Sequence, residues 1–171
     1  MAELVILVDE RDQQLGLMEK MEAHRKGLLH RAFSVFILNS KGEMMIHQRA
    51  LHKYHSGGLW TNACCSHPRD GETIIEAGHR RLMEEMGFDT DLEKVLEFTY
   101  KAELDGGLTE HEYDHVMVGH FEGEPKPNPS EVAQWKWVNV DDLKNDIEKR
   151  PQRYTEWFKI IFDRFIQSVN V

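Results

Sequence analysis

The chain has only two cysteines in 171 residues, and they are neighbours, Cys64 and Cys65. Adjacent cysteines cannot close a useful loop, so a disulfide framework is excluded and a reducing cytoplasmic setting is expected. Long apolar runs are also missing. None approaches the ~18 residues of a membrane span, so no membrane partner is expected. Met1-Ala2-Glu3-Leu4 sets no basic stretch ahead of an apolar core, so a secretory signal is not expected either. Proline is scarce, and three of the five prolines fall in Glu124-Pro125-Lys126-Pro127-Asn128-Pro129, which reads as a surface loop. Internal repeats, low-complexity tracts and linkers are absent. Positive charge is in deficit: 21 Lys/Arg against 30 Asp/Glu leave a net charge of −9, which argues against nucleic acid as a partner.

What is present is a globular composition, 40% hydrophobic and 30% charged with sixteen aromatics, in a length suited to one domain over residues 1–171. The charge is uneven. Residues 20–81 hold ten Lys/Arg and five Asp/Glu, so an acidic chain carries one basic third, suited to a small anion or simply to an uneven surface.

Periodicity and breakers predict strands at 4–8, 32–38, 44–49, 98–103, 112–121 and 135–140. Asn39-Ser40-Lys41-Gly42 and Asp105-Gly106-Gly107 would turn two hairpins. A short helix is expected over 17–25, stopped by Gly27, and a longer one over 74–86 with Gly87 at its end. Pro151 is expected to open a last helix carrying Tyr154, Trp157, Phe158, Ile161, Phe165 and Val169 on one face. Strands and helices interleave, and the strands alternate polar with apolar. The fold class is α/β, one domain with a mixed sheet sandwiched by helices.

Three segments carry chemistry. In Ser66-x5-Glu72-x7-Arg80-Arg81-Leu82-x-Glu84-Glu85-x-Gly87-Phe88, acids recur on a helix, where carboxylates can hold a hard cation. Taken alone, Arg81 and Glu85 also read as an ordinary i,i+4 ion pair on a solvated face. Trp60-Thr61-Asn62-Ala63-Cys64-Cys65-Ser66-His67-Pro68 sets a thiol in a polar segment, and His67 shares its side if the chain is extended. In Thr109-Glu110-His111-Glu112, extended backbone points Glu110 and Glu112 the same way and His111 the other. Such carboxylates repel unless a cation or a shared proton lies between them. His24 and His30 flank the end of the first predicted helix, and spacing alone does not pair them with these acids.

The helical segment resembles the Nudix box, with Ser66 at a position usually held by Gly and Arg81 at that of a metal-binding Glu. Together with His24, His30, Trp60-Thr61-Asn62, Cys65-Ser66-His67-Pro68 and Glu110-His111-Glu112, it resembles type I isopentenyl diphosphate isomerases across about residues 4–165. The resemblance implies a Nudix fold and interconversion of isopentenyl and dimethylallyl diphosphate by protonation and deprotonation, through a tertiary carbocation-like state. It implies that His24, His30, His67, Glu110 and Glu112 surround one divalent metal, Mn²⁺ or Mg²⁺, with Zn²⁺ also suited. Cys65 as base and Glu112 on the acid side, with Tyr100 bonded there, would face each other across the alkene. Glu85 would hold a Mg²⁺ bridging to the diphosphate, and Lys20, Arg49, Lys53 and Arg81 would surround that anion. Trp157 would stabilise the cation with its π face, worth ~2 kcal/mol when desolvated, with Trp60 as further aromatic lining. The implied partner is thus a small isoprenoid diphosphate. The rival enzyme class is a Nudix diphosphohydrolase, against which Arg81 and the Cys65/Glu112 pair both argue.

Overall fold

Two strands that part company organise the domain. The computed structural model describes residues 3–169; residues 1, 2, 170 and 171 of the expected domain lie outside it. The turn at Asn39–Gly42 joins β3 (His30–Leu38) to β4 (Glu43–Arg49), as expected, but the two strands pair only at Leu38 and Met44. The segment after Leu59 fills the wedge between them. Its first part, β5 (Trp60–Thr61), pairs with β4, and its second, β6 (Cys64–Ser66), pairs with β3.

The other edge of β3 is taken by β8 (Thr109–His120), parallel over nine positions from His30 opposite Glu112 to Leu38 opposite His120. Outside β8 lies β7 (Leu92–Glu103), its antiparallel partner across the Asp105–Gly107 turn. The hairpin of β1 (Leu4–Val8) and β2 (Gln14–Glu19) joins β3 at Leu7 opposite His30, and β9 (Val132–Asn139) completes the sheet beside β4. One parallel pair among antiparallel ones makes the sheet mixed.

The central strand β3 departs from the expected alternation, because all of Ala32–Leu38 is buried. Helices cover both of its faces, which is where parallel strands are found. Phe33, Val35 and Ile37 pack on one face beneath α2 (Ile74–Met86); Phe36 and Leu38 pack on the other, beneath α4 (Glu156–Ser168). Helix α2 has the predicted bounds. Thr73 and Glu76 cap its start reciprocally, at 3.1 and 2.9 Å. Gly87 ends it at φ +72, where a Cβ would stand 2.2 Å from the Lys126 carbonyl oxygen. The proline-rich loop is thereby strapped to the helix end, through Lys126 N–H to Met86 O and Asn128 N–H to Glu85 O.

Other boundaries move. The chain is a strand through Glu19, because Leu17 pairs with Ile6; α1 therefore starts late, over Lys20–Lys26. Pro151 opens a 3₁₀ turn, and α4 begins after Thr155, whose hydroxyl accepts the Phe158 N–H at 3.1 Å. Val140, expected to end a strand, instead starts a further helix, α3 (Val140–Lys149), capped by Asn139, with Val140, Leu143 and Ile147 at helical spacing on the core. Helix α4 buries Trp157, Phe158, Ile161, Phe162 and Phe165, each worth about 1.5–3 kcal/mol relative to exposure.

Candidate active site

The wedge and the parallel pair bring distant residues to one cavity of about 780 Å³. Of the thirteen residues expected from the sequence, eleven line it. The other two, His30 and Tyr100, sit behind Glu112 and bond to it.

The buried end is built around Glu112. In register, β8 sets Glu112 beside His30 of β3 and beside Tyr100 of β7. Glu112 Oε2 lies 3.2 Å from His30 Nε2 and 2.9 Å from His67 Nε2, and its Oε1 accepts the Tyr100 hydroxyl at 2.6 Å. The same hydroxyl bonds Glu110, whose Oε2 is 3.7 Å from His24 Nε2. Ligand atoms of His24, His30, His67 and Glu112 all lie within 4.8 Å of one another.

Two of these rings are aimed by the backbone. His24 Nδ1 bonds the Lys20 carbonyl at 2.7 Å and His30 Nδ1 the Leu28 carbonyl at 2.9 Å, which leaves each Nε2 facing the carboxylates. A backbone bond at one ring nitrogen is how a neutral imidazole presents the other to a metal. Nitrogen lone pairs and carboxylates converging on one point are stable only around a cation or protons, so the donor set fits a divalent ion. The charges agree. Burial pushes Glu110 up, and the Glu112 charge adds to it. Burial acts on Glu112 as well, yet bonds from His30 and His67 hold its carboxyl well below the usual range. Burial lowers His30 and is outweighed by Glu112, so that ring sits above its ordinary value; in His67 burial wins.

The two cysteines point to opposite faces of β6, as a strand requires. Cys64 is in the core under α2, whereas Cys65 lines the cavity. The Cys65 thiol donates to Asn62 Oδ1 at 3.0 Å and meets Ser34 Oγ at 3.4 Å. Asn62 is fixed in turn by donating to the Val35 and Cys64 carbonyls, and Ser34 donates to the fully buried Asp114 at 2.9 Å. Burial raises the thiol well above its ordinary value, so Cys65 rests protonated.

The cationic end is built on α2, the start of α1, the end of β4 and the loop that follows it. The Arg81–Glu85 pair is no solvated face: Glu85 is buried and its carboxyl is pushed up to about 7 by burial, against the pull of Arg81. Arg81 donates to Ser66, Glu84, Glu85 and Glu131 at 2.6–3.2 Å. Lys53 lies 3.8 Å from Glu131, and Lys20 pairs with Glu3 at 2.8 Å. The Arg49 guanidinium stands 5.0 Å from the Trp157 ring.

Trp60 is not part of the cavity lining. It packs on the α4-side core with Lys136 Nζ 4.7 Å over its ring, because pairing with Gln48 fixes its face of the sheet. The sequence reading assigned no role to Ser34, Asn62, Asp114, Glu131 or His55. Two of them carried a signal, Asn62 within the Thr61-Asn62…Cys65 motif and Asp114 as the third acid in the alternation Glu110, Glu112, Asp114. The others are brought in by pairing across the wedge and by loops, which leave no local pattern.

The sequence profile of the NUDIX domain family matches residues 28–158. Isopentenyl-diphosphate Delta-isomerase 2 of Aromatoleum aromaticum is 49% identical over 172 aligned positions, covering 99% of this chain and 91% of that protein. The protein of the same name from Photorhabdus laumondii is 51% identical over 163, covering 95% and 92%. Isopentenyl-diphosphate Delta-isomerase of Serratia proteamaculans is 48% identical over 161, covering 94% and 90%. Among solved structures, a Deinococcus radiodurans protein superposes with a TM-score of 0.73 at 21% identity, covering 86% of this chain and 90% of that one. A MutT protein from Methanosarcina mazei gives 0.66 at 17%, covering 81% and 94%. At such identities the likeness is one of fold. The near full-length relatives go further: the chain belongs to the NUDIX domain family and, within it, to the isopentenyl-diphosphate Delta-isomerases.

Proposed function

We propose that the protein interconverts isopentenyl diphosphate and dimethylallyl diphosphate, adding a proton at one end of the alkene and removing one at the other. The observation that carries this reading is the lining of a single cavity. A thiol, a pinned carboxylate and an indole share it with four basic residues and Glu85.

In this reading Lys20, Arg49, Lys53 and Arg81 bind the diphosphate, and Glu85 holds the Mg²⁺ that accompanies it. The diphosphate is an anchor and is not cleaved. Cys65 and Glu112 are the proton-transfer pair, on opposite faces of the alkene. Tyr100 hydrogen-bonds Glu112 and Glu110 and shares protons with both. At rest the thiol carries a proton. Cys65 therefore begins as a donor and becomes the base expected from the sequence only once that proton has left. Because the isomerisation is reversible, each group fills both roles across the two directions.

His24, His30, His67, Glu110 and Glu112 would hold a divalent cation, for which three imidazoles favour Mn²⁺ or Zn²⁺ over Mg²⁺. When bound, that ion supplies positive charge that keeps the buried acids together. An alkene is a very weak base, so its protonation needs a site closed to water. Trp157 supplies a π face for the developing cation. A diphosphohydrolase would direct water at phosphorus with α2 carboxylates, and Arg81 occupies one such position.

The test is ³¹P NMR of isopentenyl diphosphate incubated with the protein and Mg²⁺. Dimethylallyl diphosphate should form without inorganic phosphate. Phosphate release at the rate of substrate loss, with no dimethylallyl diphosphate, would sink the reading.

A further inference from the structure

Two buried rings in the cavity have no task so far, His47 and His55, and His55, at 4% exposure, lies against Trp157. A constrained loop delivers it there. The next residue, Ser56, has φ +54, in the left-handed region that side-chain-bearing residues rarely adopt, and Asp105 Oδ1 holds its N–H at 3.0 Å. A Cβ on Gly57 would stand 2.6 Å from the Leu51 carbonyl oxygen. Gly58, at φ +81, donates its N–H to the Arg49 carbonyl at 3.1 Å. Backbone of this kind persists only where its surroundings over-determine it.

The ring bonds Ser56 Oγ through Nδ1 at 3.1 Å and packs on Tyr54, and two further contacts of His55 bear on Trp157. It stands at 88° to the Trp157 indole with centroids 5.5 Å apart, an edge-to-face packing. Its own carbonyl accepts Arg49 Nη2 at 3.2 Å, and that guanidinium lies against the same indole. A buried indole is usually pinned through its N–H. Trp157 Nε1 is buried and has no hydrogen-bond partner among the described residues, so packing alone sets the ring's orientation. One flanking group is His55, and the other is tethered by it. Burial and the Arg49 charge also push the His55 ring down to about 3. It stays uncharged and does not oppose a cation forming beside the indole.

We propose that His55 is a positioning residue, holding the Trp157 face toward the reacting carbon of the isoprenoid diphosphate and linking it through Arg49 to the diphosphate end. The proposal rests on the reading of Trp157 given above, and the experiment separates the two. Metal-loaded His55→Ala, His55→Phe and Trp157→Leu proteins are compared by steady-state kinetics with isopentenyl diphosphate. The ¹⁹F resonance of Trp157 is followed in 5-fluorotryptophan-labelled protein and assigned by its loss in Trp157→Leu. His55→Ala should lower kcat about tenfold or more and shift or broaden the Trp157 line. KM should stay within about threefold, because the carbonyl that holds Arg49 remains, and the metal content should not change. His55→Phe, which keeps a ring edge on the indole, should restore kcat and line position to near those of the unaltered protein. If His55→Ala does not fold, His55→Leu carries the same expectation. A kcat loss in Trp157→Leu with neither a kcat nor a ¹⁹F change in His55→Ala overturns this proposal alone. An unchanged kcat in Trp157→Leu overturns the reading of Trp157 and this proposal with it. Equal impairment of His55→Phe and His55→Ala also overturns it, since ring packing would then not be the cause.

Discussion

The two ends of the cavity are built from different materials. At the reacting end Cys65, His30, Tyr100, Glu110 and Glu112 stand on strands β3, β6, β7 and β8, His24 joins them from α1 and His67 from just after β6, and His30 and His24 are 0% and 1% exposed. Each polar group there is held by another buried one, so its position is fixed by sheet register. At the diphosphate end the cations reach in from the start of α1, the end of β4, the loop after it and α2, and Lys20, Lys53 and Arg81 keep 18–22% exposure. Each is paired with an acid that an incoming anion and its cation can replace. Burial thus separates a rigid site for proton transfer from an exchangeable site for anchoring. Substitutions at the first should change kcat or metal content, and those at the second should change KM.

The largest expected effect is at Cys65. Cys65→Ala should cut kcat by roughly 10³-fold, within the range for removing a proton-transfer group. Cys64→Ala, across the strand, should keep turnover within about threefold and cost about 1 kcal/mol of stability through the small cavity it opens. Equal kinetic losses in the two would break the assignment by faces.

His67→Ala should come next, weakening the divalent ion on the order of tenfold or more, since a ligand has been removed. Metal analysis with unchanged stoichiometry and affinity would take His67 out of the cluster. Chelation of the unaltered protein should abolish turnover, and Mn²⁺ or Mg²⁺ should restore it.

Arg81→Ala tests the other end. KM for isopentenyl diphosphate should rise about tenfold, with a smaller change in kcat. Stability should fall by roughly 3 kcal/mol, because buried Glu85 loses its charged partner. A loss confined to kcat would contradict the anchoring role.

Salt gives the smallest effect. Raising ionic strength shortens the screening length below ~10 Å, so KM should rise a few-fold as the part-exposed cations are screened, while kcat holds. A kcat that falls in step with the rise in KM would mean the ends are not separate.

Much of the anchoring helix was legible because its information is local. Thr73, Glu76 and Gly87 cap α2 by contacts within one or two turns, and Glu110 and Glu112 share a face by strand alternation alone. The convergence of His24, His30 and His67 was not readable in the same way. They come from α1, β3 and the chain just after β6: the parallel β3–β8 register sets His30 beside Glu112, the pairing of β6 with β3 brings His67, and α1 turns His24 toward Glu110; family resemblance supplied what spacing could not. His55 and Glu131 were silent because loops position them, through a left-handed Ser56 and a strap from α2. The helix boundary near residue 20 was misplaced for a related reason: pairing of β2 with β1 overrode a helical pattern in the chain.

Doubly labelled water distinguishes chemistry at the alkene from chemistry at phosphorus. Isopentenyl diphosphate is turned over in ²H₂¹⁸O, and the products are analysed by mass spectrometry and ³¹P NMR. Thiol, phenol and carboxyl protons exchange with solvent, so the account predicts deuterium on the carbon skeleton of dimethylallyl diphosphate and no ¹⁸O on either phosphorus. Inorganic phosphate bearing ¹⁸O, with no deuterium on carbon, would contradict it.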